Sequence, residues 1–158
     1  KAMSKNKTGA LIVFERINKL DNQINTGTII NSDTTAELLK NVFFNKAPLH
    51  DGAVIISEGR IAAAGCMLPL SSNQNLSRDL GMRHRAGIGM SEHSDAVVAI
   101  VSEETGAISI AVDGMLKRHL SPETFEKILR NEMIIEEALI TEKKRKSYFD
   151  FFKVKKNG

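Results

Sequence analysis

One cysteine, three prolines, one tyrosine and no tryptophan are spread over 158 residues. The lone thiol, Cys66, excludes an internal disulfide and suits a reducing cytoplasm. Four histidines (His50, His84, His93, His119) show no paired-ligand spacing, which argues against a structural zinc site. No segment is apolar for long enough to span a bilayer, and nothing at the start reads as a signal peptide. A Walker-type glycine loop, a dinucleotide fingerprint and a kinase signature set are absent, so phosphate chemistry here would use another kind of site. Internal repeats and low-complexity tracts are also missing. The chain opens on Lys1-Ala2-Met3-Ser4-Lys5, with an internal methionine and no initiator, and reads as part of a longer protein.

What is present is an ordinary globular composition, 42% hydrophobic and 26% charged, in a length that suits one domain with a proper core. The formal charge of +3 is unevenly spread. Residues 143–156 hold seven basic residues and one acid, a net of +6, which leaves −3 for everything else. A mildly acidic body argues against a broad nucleic-acid surface. The tail also holds four of the eight aromatics, Tyr148, Phe149, Phe151 and Phe152. It reads either as a disordered end or as a basic-aromatic segment that meets a membrane surface or a partner. The division expected is a domain over 1–142 and a tail over 143–158.

Apolar runs at 10–14, 28–30, 54–56, 60–68, 96–101, 107–112 and 115–119 predict strands. Short helical character is expected between Glu15 and Gln23. A clear helix is expected over about 33–44, with a capping box from Thr34 to Glu37 and an apolar stripe of Leu38, Leu39, Val42 and Phe43. Another helix is expected from near His84 to Ser94. Ser121-Pro122-Glu123 starts the last one, and Met133 to Ile140 continues it. The fold class is α/β (α+β): a mixed, mostly buried sheet of six or seven strands with helices on both sides.

Three stretches could carry chemistry. Leu49-His50-Asp51-Gly52-Ala53 puts an acid and two small residues at the mouth of a buried strand, where something can approach the backbone closely. Aspartate-glycine is also common turn punctuation. Arg83-His84-Arg85 sets two guanidinium groups around a histidine at a helix start, which suits an anion, or else is a solvated basic turn. Residues two apart on a helix point to nearly opposite sides, so the two arginines need not grip one group. Glycines at 81, 87 and 89 would let a bulky ligand approach. Ser102-Glu103-Glu104 is either a solvated hairpin turn or a strand end facing the same crevice as Asp51. In the second case Asp51 and Glu104, with His50 nearby, could hold a divalent cation, magnesium or manganese. The thin run Ile61-Ala62-Ala63-Ala64-Gly65 suits close helix packing or a wall for a planar group.

Together these residues resemble the diadenylate cyclase domain. Its paired DGA and RHR motifs match Asp51-Gly52-Ala53 and Arg83-His84-Arg85, about thirty residues apart and in order. The flanks agree: Pro48-Leu49-His50, Ala63-Ala64-Gly65-Cys66, Leu68-Pro69-Leu70 and Val101-Ser102-Glu103-Glu104-Thr105-Gly106-Ala107. The likeness covers roughly residues 8–130 and is nearest to the membrane-tethered bacterial class. It implies condensation of two ATP to cyclic di-AMP with release of two pyrophosphates, on Mn2+ or Mg2+. Carried over by position, Asp51 activates the 3′-hydroxyl or orients the metal, and Gly52 and Ala53 shape the floor by the ribose. Arg83, His84 and Arg85 fall on the phosphate motif. Gly81, Met82, Ser102, Glu103 and Glu104 fall at the nucleotide site, Met67 and Leu68 line the adenine slot, and His50 joins Asp51 and Glu104 at the metal. Met82 replaces a frequent threonine and loses a hydroxyl. Met67 replaces a frequent tyrosine and keeps a polarizable neighbour for the base.

The two-fold product implies a homodimer with the Asp51 and Arg83 stretches face to face. The resemblance also implies the cytoplasmic face of a bacterial membrane, a membrane-bound regulatory protein, a phosphoglucosamine mutase and no nucleic acid. Competing readings are a non-catalytic adenine-nucleotide sensor and a nucleic-acid module using Arg83, Arg85 and the tail.

Overall fold

A computed structural model describes the backbone of residues 1–156, and the side chains of these except 135–136 and 147–156. The tail aromatics Tyr148, Phe149, Phe151 and Phe152 therefore lie outside the described side chains.

Seven strands form one sheet: β1 (Ala10–Phe14), β2 (Thr28–Asp33), β3 (Ala53–Ser57), β4 (Arg60–Cys66), β5 (Val97–Val101), β6 (Ile108–Val112) and β7 (Met115–Leu120). Their order is β2-β4-β3-β1-β5-β6-β7. Only β1 and β3 run parallel; every other neighbouring pair is antiparallel. The helices are α1 (Ala2–Lys5), α2 (Asp21–Ile24), α3 (Ala36–Val42), α4 (Met82–His93) and α5 (Pro122–Lys156). Helix α5 runs unbroken across the expected boundary at 142/143.

Continuous apolar runs in β1, β3 and β5 are what a strand covered on both faces requires. On one face Leu11, Val13, Ile55, Val98 and Ile100 join Ile88 and Met90 of α4. On the other, Ile12, Val54 and Ile56 join Val42 and Phe43, with Phe125 of α5 against them. Helices therefore cover both sides, as expected.

Local expectations shift in four places. The α3 cap is Thr35, whose hydroxyl accepts from Leu38 N at 3.2 Å. Thr34 instead donates to the Gly59 carbonyl at 2.8 Å, because β2 extends to Asp33 and delays the helix. Between β1 and α2, Glu15 is buried and accepts from Leu20 N at 2.8 Å, which draws the chain into a turn where a longer helix was expected. Helix α4 starts at Met82, two residues early, and so takes Met82 and Arg83 into its first turn. Its inner glycines serve packing. A Cβ on Gly87 would lie 2.8 Å from Ile100 Cδ1, and one on Gly89 would fall on the Pro69 carbonyl. They fit the helix between sheet and loop, a correction to the expectation that they admit a ligand.

Candidate active site

One end of the sheet gathers the motifs. In the β1–β3 register Ile12 faces Val54, which sets Ala10 level with Gly52; in the β1–β5 register Ala10 faces Val101. Asp51 and Ser102 thus emerge from the same edge, two strand spacings or about 10 Å apart. The first turn of α4 closes over this edge. The Arg83 guanidinium lies on Gly9, where a Cβ would sit 2.8 Å from Arg83 Cζ, and Arg83 Nη1 meets Glu103 Oε2 at 3.1 Å.

Asp51 is exposed, and no ion pair holds it among the described residues. Gly52 has φ +117°, and a Cβ there would stand 2.8 Å from the Gly65 carbonyl carbon. Only glycine fits both the angle and the approach. What comes close to this motif is the backbone of β4 at Gly65 and Cys66. Ala53 has no exposed surface and supports the strand mouth from inside. The small residues of β4 likewise divide between the two cores, Ala63 on the α4 side and Ala64 on the other.

Beside α4 lies a cavity of about 490 Å³. Gly81, Met82, Arg83, His84, Ser102, Glu103 and Glu104 all line it. Two of its polar atoms are buried and have no partner among the described residues: Arg83 Nε and the Ser109 hydroxyl. His84 is buried, and its pKa is held below the ordinary histidine value first by that burial and then by the charge of Arg118. It is a neutral imidazole at neutral pH. The Ser102 hydroxyl accepts from Thr105 N at 3.3 Å, so its proton is free for another acceptor.

Other expected residues fall elsewhere. Arg85 does not line the cavity. Its Nη2 donates to the Ser77 carbonyl at 3.3 Å and ties α4 to the preceding loop, so the two arginines do serve different groups. Met67 and Leu68 line a separate, more open hollow of about 440 Å³ with Thr26 and His93. His50, Asp51 and Glu104 are not gathered: no group of three or more potential metal ligands forms among the described residues. His50 Nδ1 does lie 2.7 Å from the Ala47 carbonyl. Donation from Nδ1 leaves Nε2 as the free lone pair, the tautomer that binds a metal.

Asp79, Ser109, Arg118 and His119 also line the cavity and were not expected there. Arg118 Nη2 meets Asp79 Oδ2 at 2.9 Å. Bonds from Arg118 and from Ser77 hold the Asp79 carboxyl down at about 2. The one signal in the sequence was Lys117-Arg118-His119, three polar residues in a row that break strand alternation.

Residues 1–116 match the family described as "DisA bacterial checkpoint controller nucleotide-binding", the DAC domain. The chain belongs to the DAC family. It is 46% identical over 130 residues to the cyclic di-AMP synthase CdaA of Bacillus subtilis, covering 82% of this chain and 48% of that one. It is also 46% identical over 132 residues to a diadenylate cyclase of Listeria monocytogenes, covering 84% and 48%. The chain therefore spans about half the length of these curated relatives. Among solved structures, a double-cysteine variant of DacA from Staphylococcus aureus aligns with TM-score 0.82 at 50% identity, over 84% of this DAC chain and 88% of that one. The mixed α/β architecture is that of the DAC domain. No helix among the described residues is long and apolar enough to cross a membrane.

Proposed function

We propose that this DAC domain condenses two ATP molecules into cyclic di-AMP and releases two pyrophosphates. One observation carries the reading: the exposed, unpaired Asp51 and the strand end at Ser102 share one end of the sheet, about 10 Å apart, and Ser102 lines a cavity with Arg83 and Ser109, two residues that carry orphaned buried donors. A nucleoside triphosphate laid along the edge spans that distance, with its ribose toward Asp51 and its phosphates toward Arg83, His84 and Ser102. Asp51 then orients or deprotonates the 3′-hydroxyl, and Arg83 with the first turn of α4 neutralises phosphate charge. In-line attack needs an α-phosphate from a second nucleotide, and each chain offers one such edge. The active unit is therefore a face-to-face homodimer.

The donor set fits a divalent cation. The cavity is lined by two arginines and three carboxylates (Asp79, Glu103, Glu104), so apart from its histidines it carries a net −1. A polyphosphate enters such a place with a cation. Asp51 and Glu104 would supply oxygens and His50 its Nε2, one or two at a time alongside phosphate oxygens, as magnesium or manganese prefers. When bound, the ion would supply charge neutralisation at the phosphates. Association with the membrane face, a membrane-bound regulator and a phosphoglucosamine mutase belong to the same reading through the family likeness.

The test is ATP with Mn2+ or Mg2+ and product analysis, with Asp51→Asn as control. Cyclic di-AMP is expected from the parent and almost none from the variant. Equal turnover by the variant would remove Asp51 from the chemistry. Specific activity should fall on dilution, and a rate strictly proportional to enzyme would exclude the dimer. ATP binding with no pyrophosphate released would make the domain a sensor.

A further inference from the structure

The cavity beside α4 holds more than the motifs account for. In the β6–β7 pairing Ile108 faces Leu120 but Ile110 faces Lys117. Arg118 and His119 together therefore oppose Ser109 alone, a β-bulge, and His119 takes φ +54° in the left-handed region. Along a regular strand consecutive side chains lie on opposite faces. Here both line one cavity. Facing them, Ser109 is 1% exposed and its hydroxyl is unpartnered among the described residues, as is Arg83 Nε. Gly81, the N-cap of α4, offers no side-chain cap to the first N–H groups of the helix. All of these unfilled groups can donate a hydrogen bond.

Arg118 is engaged, but by an exposed group. Its Nη2 and Nη1 reach Asp79 Oδ2 and Oδ1 at 2.9 and 3.5 Å, and the Asp79 side chain is 61% exposed. A carboxylate offers a guanidinium the same pair of oxygens that a phosphate does.

Resting on the ATP reading above, we propose that Arg118 is a phosphate-binding residue of this site and that Asp79 is the internal anion a phosphate displaces. The bulge adds Arg118 and His119 to the cavity that Arg83 and Ser109 also line, so a polyphosphate there meets both arginines. Asp79 stands three residues before Met82, so its release also frees the lead-in to α4.

The test uses the full chain and measures binding of Mg-ATP, inorganic pyrophosphate and adenosine by calorimetry. Arg118→Gln should weaken ATP and pyrophosphate about tenfold or more while changing adenosine less than about twofold. Arg118→Lys should recover part of that loss. Asp79→Asn should tighten pyrophosphate by about threefold, because a competitor is gone. Pyrophosphate binding unchanged in Arg118→Gln would overturn the proposal. So would adenosine and ATP weakened equally, or pyrophosphate weakened by Asp79→Asn. If the parent bound pyrophosphate through Arg118 but not ATP, the cyclase reading would fail and this one would stand. A parent that bound neither would overturn both.

Discussion

Asp51 and Glu15 are carboxylates at opposite ends of the same two parallel strands. Asp51 precedes β3, and Glu15 follows β1 and bonds through its N–H to the Ile56 carbonyl at 2.9 Å. Each end has an arginine nearby and a cavity of similar size, about 480 Å³ near Glu15 and 490 Å³ beside α4. Their bonding differs. Glu15 is 6% exposed and accepts from Leu20 N, the Ser57 hydroxyl at 2.7 Å and Lys19 Nζ at 3.3 Å. Arg16 is spent on the Asp95 carbonyl and on Glu132. At the other end Asp51 is exposed, and Arg83 keeps a buried Nε with no partner among the described residues. Volume and charge alone do not separate the two. What separates them is whether the polar groups have been satisfied by the fold or left for something else.

The sharpest break of this comparison is a crossed pair of substitutions. Asp51→Asn should lower cyclic di-AMP formation by about 10³-fold, within the range of a lost acid–base group, and leave the melting temperature nearly unchanged. Glu15→Ala should do the reverse. It removes an acceptor from the buried Leu20 N–H and the partly buried Ser57 hydroxyl, which costs about 3 kcal/mol of stability in a urea titration. Turnover per folded molecule should hold. A large stability loss in the Asp51 variant, or a turnover loss at matched folded fraction in the Glu15 variant, would erase the distinction between the two ends.

The arginines should behave alike on a smaller scale. Arg83→Gln is expected to raise the ATP Kd about thirtyfold, the loss of one charge-assisted contact, with little change in unfolding. Arg16→Gln loses bonds to Asp95 and Glu132 and should shift the urea midpoint while ATP affinity stays put. Equal ATP affinity in the parent and the Arg83 variant would contradict the placement of phosphates beside α4.

The same contrast explains what could be read from the residues alone. Strands β1, β3, β5 and β6 and the hairpin at Asp113-Gly114 are local patterns of apolar runs and turn residues, and they appear where expected. Asp51 and Arg83 were visible because acids and bases beside small residues are unusual next to buried strands. Arg118 and Asp79 were not, since they lie 39 positions apart and meet only through the sheet. The bulge that turns Arg118 inward is a register shift, and the break in alternation at Lys117-Arg118-His119 marks an irregularity without saying which side chain it turns or what it meets. Gly87 and Gly89 looked like room for a ligand, because a sequence cannot show that Ile100 and the Pro69 carbonyl already fill that room.

The smallest effect belongs to the histidine in the first turn of α4. His84, in the first turn, is buried and faces Arg118, Arg83 and His119, with only Asp79 opposing them. Burial and these charges keep its folded pKa below the ordinary value of 6.5. In the window between the two values the unfolded chain binds more protons than the folded one. Stability from neutral His84 is thus complete above about 6.5 and is lost as pH falls through that window, by at most about 1.4 kcal/mol per pH unit. His84→Gln should flatten this part of the stability–pH curve. Saturating pyrophosphate should flatten it in the parent too, because an anion beside His84 favours the protonated ring. A parent curve unmoved by pyrophosphate would place the anion away from His84 and reopen which end of α4 faces the nucleotide.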